Sequence, residues 1–172
     1  IVTFTGSAST GKMLKSHPKI VEEAVPFNME ADSLNCCVLG EDSTPETAEF
    51  NLFIKEVQKE MTVKAGQKCT AIRRILVPEK LVEDVQIALG KRLAKTTIGD
   101  PKIEGVRMGA LAGNDQKIEV KEKVNELSKT QDIVFGDLEN FEVNGGDKNK
   151  GAFFSPILFL NNNPFKNTDC HS

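Results

Sequence analysis

The side chains best suited to covalent chemistry lie in one short stretch, Ala65-Gly66-Gln67-Lys68-Cys69-Thr70-Ala71. A tight, glycine-bearing loop between a long amphipathic segment and a strand-like run can hold Cys69 exposed and in a fixed pose, as a nucleophile requires. Neighbouring cations favour the thiolate form of a cysteine, and Lys68, Arg73 and Arg74 lie close along the chain. The same residues also suit a structural cysteine beside a turn, because unpaired cysteine often behaves as a small buried hydrophobe. Spacing alone leaves both readings open.

A second constellation sits near the start. Gly6-Ser7-Ala8-Ser9-Thr10-Gly11-Lys12-Met13 nearly matches the phosphate-binding pattern G-x-x-x-x-G-K-[ST]. Met13 occupies the place of the hydroxyl that binds magnesium, and a thioether is a poor ligand for a hard cation. A P-loop nucleotide phosphohydrolase using Gly6 to Lys12 is therefore a rival reading. So is a non-catalytic interaction domain with a bystander cysteine. A strand, a glycine turn and a helix N-terminus also make a general anion site, because backbone N–H groups and the helix dipole converge there. Cys170-His171 offers metal-ligating types, but adjacent residues rarely converge on one ion and the only other histidine is His17, so no metal site is expected. Cys36 and Cys37, in an apolar run, are expected to be buried and inert.

The elements that must position these groups alternate between strand and helix patterns. Ile1 to Thr5 is β-branched and aromatic and reads as a strand; Ser7 or Ser9 can cap a helix that runs to about His17, where Pro18 stops it. Val25 to Met29, ending at Glu30, and Cys36 to Leu39 read as strands. Thr44-Pro45-Glu46 is a helix start, and Phe50, Phe53, Ile54, Val57 and Met61 recur at helical spacing as a core face. Ile72 to Val77 is a strand; Pro78-Glu79 opens a helix with Leu81, Val85, Ala88 and Leu89 on its buried side. A further helix covers about 114–130, and Ile133 to Phe135 and Phe153 to Phe159 read as strands, with a turn at Asn144 to Asp147. This alternation implies an α/β fold, a three-layer αβα arrangement with a mostly parallel sheet.

The 172 residues suit one domain, and 39% hydrophobic with 27% charged residues is an ordinary water-soluble balance. A net charge of −3 gives no reason to expect nucleic acid or an anionic membrane as partner, and no apolar run is long enough to span a bilayer. The four cysteines show no disulfide-scaffold spacing, which favours a reducing, cytoplasmic setting. The chain begins inside a strand-like run and ends without a capping signal, as a piece of a longer protein would.

Gly66-Gln67-Lys68-Cys69-Thr70-Ala71, with Arg73 and Arg74 after it, resembles the nucleophile motif of the aldehyde dehydrogenase superfamily. Phe4-Thr5-Gly6-Ser7, Met29-Glu30-Ala31, the Gly99-Asp100-Pro101 turn and Met108-Gly109-Ala110-Leu111 resemble further family segments in the same order. Within the family, the dehydrogenase domains of bacterial phenylacetate catabolism look most similar.

The resemblance implies that Cys69 is the nucleophile and Glu30 the base that activates water. It assigns Gly6 and Ser7 to the pyrophosphate of NADP or NAD, Thr5 to the nicotinamide side and Thr10 to the adenine side, and counts Ala31 among the cofactor-binding residues. It implies an aldehyde substrate, with a CoA-linked semialdehyde suggested, and a homo-oligomeric parent enzyme. Residues 1–172 would form a single catalytic domain, with most of the cofactor-binding domain upstream. The piece alone is expected to be inactive. The chain departs from the family's Glu-Leu-Gly-Gly by reading Glu30-Ala31-Asp32-Ser33, which makes Asp32 a rival carboxylate.

Overall fold

The computed structural model describes residues 1–166, so Cys170-His171 lies outside the described residues. The chain divides after Leu34 into two compact units.

In the first unit, strand β1 (Val2–Gly6) pairs in parallel with strand β2 (Phe27–Ala31), aligning Thr5 with Glu30 and Gly6 with Ala31. Between them, helix α1 (Ala8–Lys15) is capped by Ser7, whose hydroxyl accepts the Thr10 N–H at 3.2 Å. Pro18 does more than end this helix. It begins helix α2 (Pro18–Glu22), where its missing N–H leaves no bond unmade, and His17 Nδ1 caps the start by accepting the Lys19 N–H. Helix α1 packs on both strands. Gly11 permits this close approach, because a Cβ there would stand 2.3 Å from Met29 Sδ.

The second unit begins with strand β3 (Cys36–Val38), parallel to strand β4 (Arg74–Leu76), with helix α3 (Ala48–Thr62) in the connection. Phe50, Phe53, Ile54 and Val57 are buried on one face of α3, as their spacing requires, and Met61 is partly buried against the same core. The helix is capped by Thr47, not Thr44: the Thr47 hydroxyl accepts the Phe50 N–H at 3.2 Å. Thr44 is drawn into a preceding turn, where its carbonyl accepts both the N–H and the hydroxyl of Thr47. A short 3₁₀ turn (Glu79–Leu81) leads into helix α4 (Val82–Leu93), and Leu81, Val85, Leu89 and Leu93 close the core against α3. Burying each such side chain contributes about 1.5–3 kcal/mol.

Helix α5 (Asn114–Leu127) precedes an antiparallel pair, strand β5 (Asp132–Phe135) with strand β6 (Leu158–Leu160). Strand β6 is shorter than the run from Phe153 to Phe159, since Pro156 cannot donate to a ladder. The parallel pairs and helical connections match the expected α/β class, while the pairing is distributed over three two-stranded ladders.

Cys36 is exposed and Cys37 only partly buried, contrary to expectation. Successive strand side chains face opposite ways, so in β3 only Cys37 packs on the core. Burial pushes the Cys37 thiol pKa up, with a smaller contribution from Cys36.

Candidate active site

Helix α3 delivers the chain to Cys69 through a reversal, Val63–Gly66, in which Lys64 (φ 53°), Ala65 (φ 53°) and Gly66 (φ 71°) are all left-handed. Left-handed backbone costs a non-glycine residue roughly 1–2 kcal/mol. At Gly66 a Cβ would also stand 3.2 Å from the Met61 carbonyl oxygen. The Ala71 N–H donates to the Lys68 carbonyl at 3.1 Å and closes the turn that carries Cys69. Asn35 Nδ2 donates to the Cys69 carbonyl at 2.7 Å and to the Ala71 carbonyl at 3.2 Å, and the Asn35 carbonyl accepts the N–H groups of Arg73 and Arg74. Gln67 Nε2 donates to the Lys64 carbonyl while Gln67 Oε1 accepts the Ala112 N–H, each at 2.8 Å. Cys69 is therefore exposed on a backbone tied down on both sides. Lys68, read from sequence as a cation for the thiol, instead pairs with Glu60 Oε1 at 2.6 Å.

The first unit gathers the remaining site candidates at the carboxyl ends of its two parallel strands, the customary place for ligands in α/β sheets. Thr5 lies beside Glu30 and Gly6 beside Ala31. Thr5, Gly6, Ser7, Thr10 and Glu30 are exposed and Ala31 is partly buried. Ser7 Oγ donates to Thr10 Oγ1 at 2.9 Å, which holds the two hydroxyls together at the start of α1. Asp32 has φ 58°, a left-handed backbone that Asp tolerates better than most residues. It thus takes a glycine-like conformation where the resemblance has glycine. Its N–H donates to the Gly6 carbonyl at 3.2 Å, and its Oδ1 accepts the Ala8 N–H at 3.3 Å. That carboxylate sits at the positive end of the helix dipole.

Gly11 and Lys12 have positions that account for the P-loop likeness without a triphosphate: Gly11 packs the helix on the strands, while Lys12 and Met13 are exposed. Two open clefts, one lined from Phe141 to Lys148 and one between Leu93 and Pro156, include neither Cys69 nor Glu30. Among the described residues no group of His, Cys, Asp and Glu side chains is arranged to hold a metal, and no helix is long and apolar enough to cross a membrane. Sequence reading missed Asn35, Ala112 and Glu60 as supports of the Cys69 loop. Nothing in their local pattern marks them, because each meets the loop across a fold-dependent distance.

Residues 1–169 match the model of the aldehyde dehydrogenase family, and the chain belongs to that family. It is 43% identical over 158 residues to the 3,4-dehydroadipyl-CoA semialdehyde dehydrogenase of Aromatoleum evansii, covering 92% of this chain and 31% of that one. It is 31% identical over 166 residues to a putative aldehyde dehydrogenase of Staphylococcus haemolyticus, covering 94% and 32%. The structure of betaine aldehyde dehydrogenase from Staphylococcus aureus in complex with NAD+ superposes with a TM-score of 0.78 at 22% identity, covering 92% of this chain and 30% of that one. An NADP-dependent enzyme of E. coli gives 0.72 at 21%, covering 91% and 30%. The fold is thus the α/β fold of aldehyde dehydrogenases. The chain spans about a third of the length of the curated relatives it matches. Family membership leaves the phosphohydrolase and interaction-domain readings without support.

Proposed function

We propose that the protein carrying this sequence oxidises an aldehyde to a carboxylic acid with NADP or NAD, and that Cys69 forms the covalent intermediate. The observation that carries this reading is the exposed Cys69 in its anchored Gly66-Gln67-Lys68-Cys69 turn. The Cys69 thiolate attacks the aldehyde carbon, forming a C–S bond and a thiohemiacetal. The Cys69 backbone N–H would donate to the developing oxyanion, a kind of contact that stabilises such charge strongly in a dry site. A dinucleotide held by Thr5, Gly6, Ser7, Thr10 and Ala31 would supply a nicotinamide able to accept the hydride that leaves the thiohemiacetal carbon, and the thioester remains on Cys69. Glu30 then takes a proton from water; the hydroxide attacks the thioester, and the Cys69 thiolate leaves as the acid is released.

Gly6, Ser7 and the first turn of α1 fit a phosphate of the dinucleotide. The Ala8 N–H already donates to a carboxylate oxygen of Asp32, which supports reading this turn as a place for anionic oxygen. In this reading Thr5 serves the nicotinamide side and Thr10 the adenine side, and Ala31, next to Glu30, is a further cofactor-binding residue. The similarity to a semialdehyde dehydrogenase acting on a CoA-linked compound favours a CoA-linked semialdehyde as substrate. Residues 1–172 serve as one catalytic domain of a longer, homo-oligomeric, cytoplasmic enzyme and do not catalyse alone. Titration of the full-length protein with NADP and with NAD, followed by turnover with a CoA-linked semialdehyde and with a simple aldehyde, tests the reading. Production of reduced cofactor is expected; turnover retained in Cys69→Ser would contradict it.

A further inference from the structure

We propose that the Glu60–Lys68 ion pair is a positioning clasp for Cys69, holding closed the left-handed reversal that delivers the thiol. The proposal rests on the reading of Cys69 as nucleophile. Glu60 lies in the last turns of α3 and Lys68 directly precedes Cys69, so the pair brackets the whole reversal Val63–Gly66. The other ion pairs found among the described residues, Lys59–Glu56, Lys121–Glu139, Lys123–Glu126 and Lys150–Asp147, are well exposed, and three of them join neighbouring positions of one local segment. The side chains of Lys68 and Glu60 are only 24% and 13% exposed. Glu60 Oε2 is buried and makes no hydrogen bond. A carboxylate so enclosed leans on the cation in direct contact with it, Lys68, while Lys59 acts on it only through space; removing either partner of the close pair leaves a poorly solvated charge.

The strain that the clasp opposes lies at Lys64 and Ala65, two successive non-glycine residues in left-handed conformation. If the pair opens, these residues relax toward ordinary backbone and the loop loses its entry angle. The Asn35 contacts still hold the far side of the turn at Cys69 and Ala71, so the expected effect is misplacement of the thiol and not loss of the fold. Glu60 and Lys68 act through Cys69 and touch no substrate.

The test uses the full-length protein with Glu60→Gln, the exchanged pair Glu60→Lys with Lys68→Glu, and Glu60→Gln combined with Ala65→Gly. Glu60→Gln should lower kcat by about tenfold to a hundredfold, the scale of a small misplacement of a reacting group, while KM for the aldehyde stays near its original value. Amide hydrogen exchange should rise at residues 63–68 and stay unchanged in the core face of α3. The exchanged pair should recover activity, and Ala65→Gly should recover part of it, because glycine holds the left-handed form without strain. Unchanged kcat and unchanged exchange in Glu60→Gln would overturn the clasp, as would a loss that neither the exchanged pair nor Ala65→Gly repairs. The exchange measurement reads the clasp alone; Cys69→Ser turnover reads the nucleophile assignment alone, so the two failures are distinguishable.

Discussion

The two units of the chain hold their candidate functional groups by opposite means. Every buried hydrophobic side chain among the described residues belongs to the second unit, and in the first only Gly11 is buried. The first unit is shaped by its parallel ladder, a serine cap and a left-handed Asp32, and it offers chemistry through strand ends, backbone N–H groups and short polar side chains. The second unit builds a core from α3 and α4 and presents the Cys69 thiol from a turn that follows α3. The contrast predicts where substitutions act: changes in the second unit should act through packing and pose, and changes in the first through ligand and proton handling.

The largest expected effect is on turnover. Cys69→Ala in the full-length protein should abolish steady-state oxidation and any burst of reduced cofactor while leaving the melting temperature near its original value. Residual turnover at a measurable fraction would move the nucleophile elsewhere. Glu30→Gln should lower steady turnover by about two to four orders of magnitude yet keep the burst, because only release of the acyl group needs the base. Steady turnover that survives this change would shift the base role to Asp32.

A stability pair sharpens the contrast next. Leu89→Ala, at a position with no exposed surface, should destabilise the second unit by about 2–5 kcal/mol in a denaturation experiment. Val21→Ala in the first unit, at 64% exposure, should change stability by no more than about 0.5 kcal/mol. Equal losses would mean that the first unit depends on apolar packing as much as the second.

Asp32→Asn should tighten dinucleotide binding modestly. Its carboxylate competes for the positive end of α1, a charge–dipole contact of about 0.3–1 kcal/mol, or roughly a twofold to fivefold change in Kd. Weaker binding in a titration would show that the carboxylate supports the cofactor turn and does not compete for it.

The smallest effect concerns the neighbouring thiols. Cys37 has a raised pKa from burial, so less of it is thiolate near neutrality, and it should alkylate more slowly than exposed Cys36. The gap should narrow as pH rises through the Cys37 titration. Peptide-resolved labelling across pH checks this order.

Periodicity read the helices well because it follows from burial: the stripe from Phe50 to Val57 and the leucines of α4 are where their spacing puts them. A serine cap at Ser7 or Ser9 was legible because such a bond closes within three residues, and the structure uses Ser7. Boundaries set by competition were not. Thr44 and Thr47 can each cap α3, and the intervening turn decides between them. Strand β6 shrinks because Pro156 lacks a donor, and Cys36 is exposed because β3 buries only its alternate side chain. The cysteine turn itself was recognisable from its residues, but its supports were not. Asn35, Ala112 and Glu60 reach it from separate parts of the unit, and local sequence carries no record of which partner a folded loop will meet.

The most direct test of covalent catalysis by Cys69 is acid-quench mass spectrometry of full-length Glu30→Gln incubated with aldehyde and oxidised cofactor. With deacylation slowed, an acyl group should accumulate on the peptide containing Cys69, in amount matching the burst of reduced cofactor. A burst without a Cys69 adduct, or an adduct on Cys36 or Cys37, would contradict the account.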